Sequence, residues 1–133
     1  MLNEFVHEIK VYYEDTDSGG VVYYSNYLNF LERARTEMIN SIGLSNKKLF
    51  EEYETLIIVK SCNIEYIKPA KLEDKLQIYS SIESFNKASF VMIQYIKKND
   101  ELIIKAKIKL VTVNQKGKPI KIHPDLEKHF LID

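Results

Sequence analysis

Nineteen residues, Tyr12 to Phe30, read YYEDTDSGGVVYYSNYLNF and hold two aspartates, two adjacent glycines and five tyrosines. No other stretch of the chain is so dense in groups that can hold or transfer charge. Carboxylates spaced as Asp15-x-Asp17 could bind a cation, act on a carbonyl or a water, or only shape a turn. The cation reading fails on counting. From Asp15, Gly20 falls at the sixth position of a calcium loop, but the twelfth is Asn26, where a bidentate Glu is needed. The preceding segment also reads as a strand, not a helix. A phosphate loop is excluded because no Gly-Lys-Ser/Thr follows the glycines and no GxGxxG is present. No Gly-x-Ser-x-Gly elbow supports a serine nucleophile at Ser18 or Ser25.

Two readings of the loop then stand. Asp, Ser and Gly between a strand and a helix make a turn and an N-cap with no chemistry. The flank Val21-Val22-Tyr23-Tyr24 goes beyond what a turn needs, and would cover a carboxylate or line a pocket beside it.

The elements that must position this loop follow from periodicity. Phe5 to Tyr13 alternates, with Phe5, His7, Ile9, Val11 and Tyr13 on one face, as a half-buried strand does. From about Ser25 the period becomes helical. Tyr27, Leu31, Ala34, Met38 and Ile42 form a stripe that Leu28 and Ile39 widen. Ser25 or Asn26 fits the N-cap and Gly43 the end. Ser45 to Tyr53 reads as a shorter helix. Thr55–Lys68, Asp74–Phe85, Ala88–Lys97 and Leu102–Val113 read as strands. In the last, Leu102, Ile104, Ala106, Ile108 and Leu110 face in, while Lys105, Lys107 and Lys109 form a solvated face or guard a sheet edge. Pro124 to Leu131 reads as a final helical turn or two. Short connections between strands imply a largely antiparallel sheet, and with helices on one face this is an α+β architecture.

Composition narrows the class. A chain of 133 residues makes one domain, residues 1–133, with a single core. Lys+Arg and Asp+Glu both total 19, which argues against nucleic acid as partner. Cys62 is the single cysteine, so no intrachain disulfide and no cysteine-based zinc cluster is possible. It reads as a small core residue. The opening MLNEFVHEIK has two glutamates and no apolar h-region, so no secretory signal is expected. Leu56-Ile57-Ile58-Val59 is the longest aliphatic run, too short for a membrane span. The expected location is the cytoplasm.

The longer string VYYEDTDSGGVVYYSNYLNFLERARTEM resembles the signature of the 4-hydroxybenzoyl-CoA thioesterase family, and most closely its acyl-CoA thioesterases encoded with the Tol-Pal envelope system. The matching pattern is Tyr13-x-Asp15-x-Asp17-x-x-Gly20-x-Val22, then Tyr27, then Glu32-Arg33-Ala34-Arg35. IEYIKPAKLEDKLQI and KASFVMIQYI extend the similarity in outline over nearly the whole chain.

The resemblance implies a hotdog fold, an antiparallel sheet wrapped around a long central helix. It implies homodimers joined edge to edge, commonly paired into tetramers, and hydrolysis of an acyl-CoA thioester with no cofactor or metal beyond the substrate's own coenzyme A. Asp17 becomes the catalytic carboxylate, as nucleophile or general base, and the Tyr24 backbone N–H at the start of the central helix the oxyanion donor. Gly20, Val22 and Tyr27 would lie against substrate. Lys87, in NKASF, would meet the nucleotide with Ser89 beside it. An acyl carrier protein is a further possible partner. Tol-Pal-associated members often carry histidine where this chain has Tyr24, so a histidine-assisted step is not implied. The alternative is a non-hydrolytic binder of acyl-CoA or acyl carrier protein.

Apart from the resemblance, Asp15 reads as a loop-shaping residue. The pairs Glu32/Arg35 and Arg33/Glu37 read as braces of a helix surface.

Overall fold

The computed structural model describes residues 4–130. Five strands form one fully antiparallel sheet in the order β1-β3-β4-β5-β2, from β1 (Phe5–Lys10), β2 (Leu56–Tyr66), β3 (Lys75–Phe85), β4 (Ser89–Lys98) and β5 (Glu101–Val113). Helices α1 (Asn26–Ser41) and α2 (Asn46–Tyr53) lie between β1 and β2 in sequence, and α3 (Pro124–Phe130) follows β5. This is the predicted order of elements. Leu131 of the expected last helix, like both chain ends, lies outside the described residues.

Registered rows of side chains build the core. Ile78, Ile96 and Ile104 are cross-strand neighbours, as are Ile82, Met92 and Ile108, and all are buried. Against them pack Tyr27, Phe30, Leu31, Ala34, Met38 and Ile39 of α1. Between the two rows lies a third, Ser80–Gln94–Ala106, that is polar and small. Gln94 Nε2 donates to Ser80 Oγ (2.9 Å) and to the Leu31 carbonyl (3.0 Å), and its Oε1 accepts from Arg35 Nη1 (3.0 Å). One buried amide therefore fixes how α1 sits on the sheet, with every buried side-chain polar atom among the described residues satisfied.

Five expectations are corrected. Tyr13 is 80% exposed and does not share the buried face. The Asp15 carboxylate takes the Tyr12 N–H (2.9 Å), which turns Tyr13–Asp15 into a 3₁₀ turn and ends the strand at Lys10. Leu102 is half-buried and Ile103 fully buried, because Ile103 is the extra residue of a bulge opposite Ile96 and Lys97. Leu28 does not widen the buried stripe, since it is exposed. Cys62 is exposed, because β2 is the outer strand and is poorly covered on both faces. The lysines Lys105, Lys107 and Lys109 guard no edge, because β5 lies between β4 and β2; Lys105 and Lys107 are exposed on a solvated face, where Lys107 pairs with Glu83 at 3.1 Å.

Candidate active site

Hydrogen bonds within the loop separate the roles of its two aspartates. Asp15 is 8% exposed. Its side chain holds Tyr12, and its carbonyl accepts from the Tyr23 N–H (2.9 Å) and from Asn26 Nδ2 (2.9 Å), which ties the strand end to the start of α1. This is the loop-shaping role read for it. Asp17 is exposed at the tip of a short hairpin closed by Asp17 N–H to the Val21 carbonyl (2.9 Å) and by a Thr16–Val22 bridge. Its Oδ1 accepts from the Gly19 N–H (2.8 Å), leaving Oδ2 to solvent.

Both glycines are needed for this shape. A Cβ on Gly19 would come within 3.3 Å of Asp17 Oδ1, crowding the bond that orients the carboxylate. Gly20 has φ +79°, which L side chains rarely adopt, and its N–H closes the turn onto the Asp17 carbonyl (3.1 Å). Sequence reading singles out Gly20 and leaves Gly19 unmarked. Only the adjacency of the two glycines hinted at it.

The start of α1 is left open. Ser25 occupies the N-cap position with helical backbone angles, and no backbone N–H reaches its hydroxyl. The expected side-chain cap is therefore absent, and Asn26 spends its amide on Asp15 instead. Asn26, Tyr27 and Leu28 donate to the carbonyls three residues back. Among the described residues nothing accepts from the N–H groups of Tyr24 or Ser25. Two backbone donors thus face outward at the positive end of a sixteen-residue helix.

Beside them is an open cleft of about 280 Å³ lined by Val22, Tyr24, Tyr27, Tyr66, Ile67, Lys68 and Pro69. Val22 is buried and donates its N–H to the Ala70 carbonyl (2.9 Å). Tyr27 is buried at the back, where its hydroxyl accepts from the Ala70 N–H (3.0 Å) and keeps its own proton available. Burial, chiefly, raises the Tyr27 phenol above its ordinary pKa, and burial does the same for Tyr66, so both stay neutral donors at physiological pH. Tyr24 is 61% exposed and meets the Tyr66 ring edge-on at 6.2 Å. Tyr66 and Ala70 were not marked as site residues by sequence reading, although both fall in the segment IEYIKPAKLEDKLQI, because neither carries a catalytic group by type.

Not every marked residue is gathered here. Asp17 does not line this cleft. Lys87 is exposed and Ser89 half-buried at the β3–β4 hairpin, at the opposite end of the sheet from the Asp17 loop. Ten residues of β3 separate the two levels, roughly 30 Å at ordinary strand rise. Glu32 and Arg35 make no helix-bracing pair: no described carboxylate lies within 4.0 Å of the Arg35 guanidinium. His123, read as a loop residue, is one; it stacks on Tyr53 at 3.7 Å and accepts the Asp125 N–H.

Comparison with known proteins bears on this geometry. Residues 11–130 match the model of the thioesterase-like superfamily. The chain is 36% identical over 129 residues to the acyl-CoA thioesterase YbgC of Haemophilus influenzae, spanning 96% of this chain and 95% of that one. Its structure is similar to the crystal structure of a probable thioesterase from Bartonella henselae, with a TM-score of 0.88 and 32% identity, covering 90% of this chain and 99% of that one. The 4-hydroxybenzoyl-CoA thioesterase of Pseudomonas sp. strain CBS-3 has the same fold, with a TM-score of 0.88 at 21% identity and coverage of 95% and 98%. The sheet wrapped on its central helix is thus the hotdog fold. Among the described residues no helix is long and apolar enough to cross a membrane.

Proposed function

Since this chain belongs to the thioesterase-like superfamily, we infer that it is an enzyme that hydrolyses acyl-CoA thioesters to a free carboxylic acid and coenzyme A. The observation that carries the reading is the open start of α1. Two N–H donors without a protein acceptor, Tyr24 and Ser25, follow a hairpin that docks on Ala70 and Leu72 and holds the Asp17 carboxylate at its tip.

The chemistry needs both parts. A carboxylate can act on a carbonyl or a water without the partner base that a hydroxyl nucleophile needs. Asp17 Oδ2 attacks the thioester carbonyl, the C–S bond breaks, coenzyme A leaves as the thiolate, and water then hydrolyses the acyl-carboxylate anhydride. In the variant route Asp17 takes a proton from the water that attacks. In either route negative charge builds on the carbonyl oxygen, and in this reading the Tyr24 N–H, which has no acceptor among the described residues, donates to it. Removing one such donor typically costs about 2.7–4 kcal/mol of barrier.

The reading includes a second copy of the chain. Edge strand β2 exposes Leu56, Ile58, Val59 and Tyr66, and Ile67 beyond it, an apolar rim that would otherwise face water along unpaired backbone. Two β2 strands paired antiparallel set the Tyr66 end of one copy against the Leu56 end of the other. The Lys87 hairpin of one copy then lies toward the Tyr24 cleft of its partner, where the nucleotide of coenzyme A needs a cation. The test is thiol release from a panel of short, long and aromatic acyl-CoAs. Turnover of at least one is expected; saturable binding with no thiol released from any would overturn the hydrolytic reading.

A further inference from the structure

A second cavity lies between α1, the β2 edge and α3, about 140 Å³ in volume. Its floor is apolar, from Met38, Met92, Leu110 and Phe130, and an engineered apolar cavity of ~150 Å³ is large enough for benzene. One wall breaks the pattern. Arg35 lines the cavity, part-buried, with one side-chain hydrogen bond, to Gln94. A guanidinium has five N–H donors in a fixed fork. The other donors meet no described acceptor, and no described carboxylate is within 4.0 Å. Burial pulls this guanidinium below its ordinary pKa, and the Glu32 carboxylate at the cavity's rim, beyond ion-pair distance, offsets that only in part. A core that wanted only packing would hold an aliphatic residue here.

From this geometry we propose that the cavity receives the acyl group, and that Arg35 selects acyl chains ending in an oxygen acceptor, a hydroxyl or a carboxylate. The proposal rests on the thioesterase reading and narrows its substrate class. The cavity mouth, between Glu32, Thr36 and Val59, opens along the same gap between α1 and β2 as the Tyr24 cleft. With two β2 strands antiparallel, the mouth in one copy faces the cleft of the other. The thioester would sit at one helix start and the far end of the chain at the other copy's Arg35. An oxygen there replaces the water that burial strips from the guanidinium, and a methyl cannot.

Three substrates of one length test it: hexanoyl-CoA, 6-hydroxyhexanoyl-CoA and adipyl-CoA, which differ only at the far end. For the wild type, kcat/KM for at least one oxygen-ended substrate is expected to exceed that for hexanoyl-CoA about tenfold. Arg35→Met is expected to bring that ratio to near one, and Arg35→Lys to keep part of the adipyl preference while restoring the charge if the Met variant folds poorly. A wild-type preference for hexanoyl-CoA, or a preference that survives Arg35→Met, overturns the proposal. Calorimetry with the uncleavable thioethers S-hexyl-CoA and S-(5-carboxypentyl)-CoA or S-(6-hydroxyhexyl)-CoA separates this from the hydrolytic reading. Tighter binding of an oxygen-ended thioether, lost in Arg35→Met, supports the cavity assignment even without turnover, and equal affinities for all three refute it.

Discussion

The two ends of α1 are finished differently. At the C-terminal end the chain closes on itself: Gly43, at φ +83°, donates its N–H to the Asn40 carbonyl (3.1 Å), and Leu44 donates to Ile39 (3.3 Å). That is a Schellman closure, with the last carbonyls satisfied and Leu44 buried behind it. At the N-terminal end Ser25 caps nothing, and Tyr24 and Ser25 keep their N–H groups. A helix optimised only for stability would be capped at both ends. The open end is the one beside the Asp17 hairpin, so the stability forgone there marks where the molecule is available to a ligand.

If that contrast is functional, changes to the Asp17 loop beside the open end should move rate and not stability, and changes at the closed end or at the Gln94 contact under the helix should lower stability. The largest effect is expected for Asp17→Asn, nearly isosteric but uncharged. Loss of a general base or nucleophile should lower kcat by about 10²–10⁴-fold with an unchanged melting temperature. A variant at full rate would remove Asp17 from the mechanism. Next is Gln94→Leu on β4, under the middle of the helix, which strands Arg35, the Leu31 carbonyl's second lone pair and Ser80. Urea unfolding should show a loss of about 1–3 kcal/mol. Gly43→Ala, at the closed end, meets no neighbour within 4 Å, so its cost is conformational alone, about 1–2 kcal/mol by the same measurement. The smallest effect is expected for Ser25→Ala. An N-cap serine that held a backbone N–H would cost about 0.5–2 kcal/mol to remove. Here the change in unfolding free energy should stay within about 0.5 kcal/mol. A larger loss would mean that the open end is capped after all.

Sequence periodicity located the elements well because burial on this fold is one-sided. Leu76, Ile78 and Ile82 are buried along one face of the expected strand, and Tyr27, Leu31, Ala34 and Met38 recur on one helix face as expected. It failed where a single residue redirects the backbone. The Asp15 carboxylate, not the strand pattern, decides that Tyr13 turns outward, and a bulge decides that Ile103 and not Leu102 is buried. For Cys62 the pattern carried no information, because exposure there depends on which strand is outermost, and strand order is not written in local sequence. Of the site, the Asp17 loop was readable because its residue types are unusual together. Ala70 was not, because it acts only through its backbone, and any residue has one. Arg35 looked like half of a surface pair because spacing along a helix cannot reveal that the other side of the side chain is Gln94.

The strand order has a consequence for how the chain must fold as it is made. Both outer strands come early: Phe5 pairs with Ser80, and Leu56 with Val113. The templates for both belong to the β3–β4–β5 meander, which is last to be synthesised. The Asp17 loop and α1 gain their first partners once Ala70, Lys71 and β3 have been made, while the apolar β2 waits until about residue 113 has emerged from the ribosome. Pairings of such long sequence separation are slow to close, and unpaired apolar strands are hazardous while they wait. The segment with the densest chemistry therefore stands without its tertiary partners until Ala70 and Lys71 have been made, and the proposed dimer edge waits longer still.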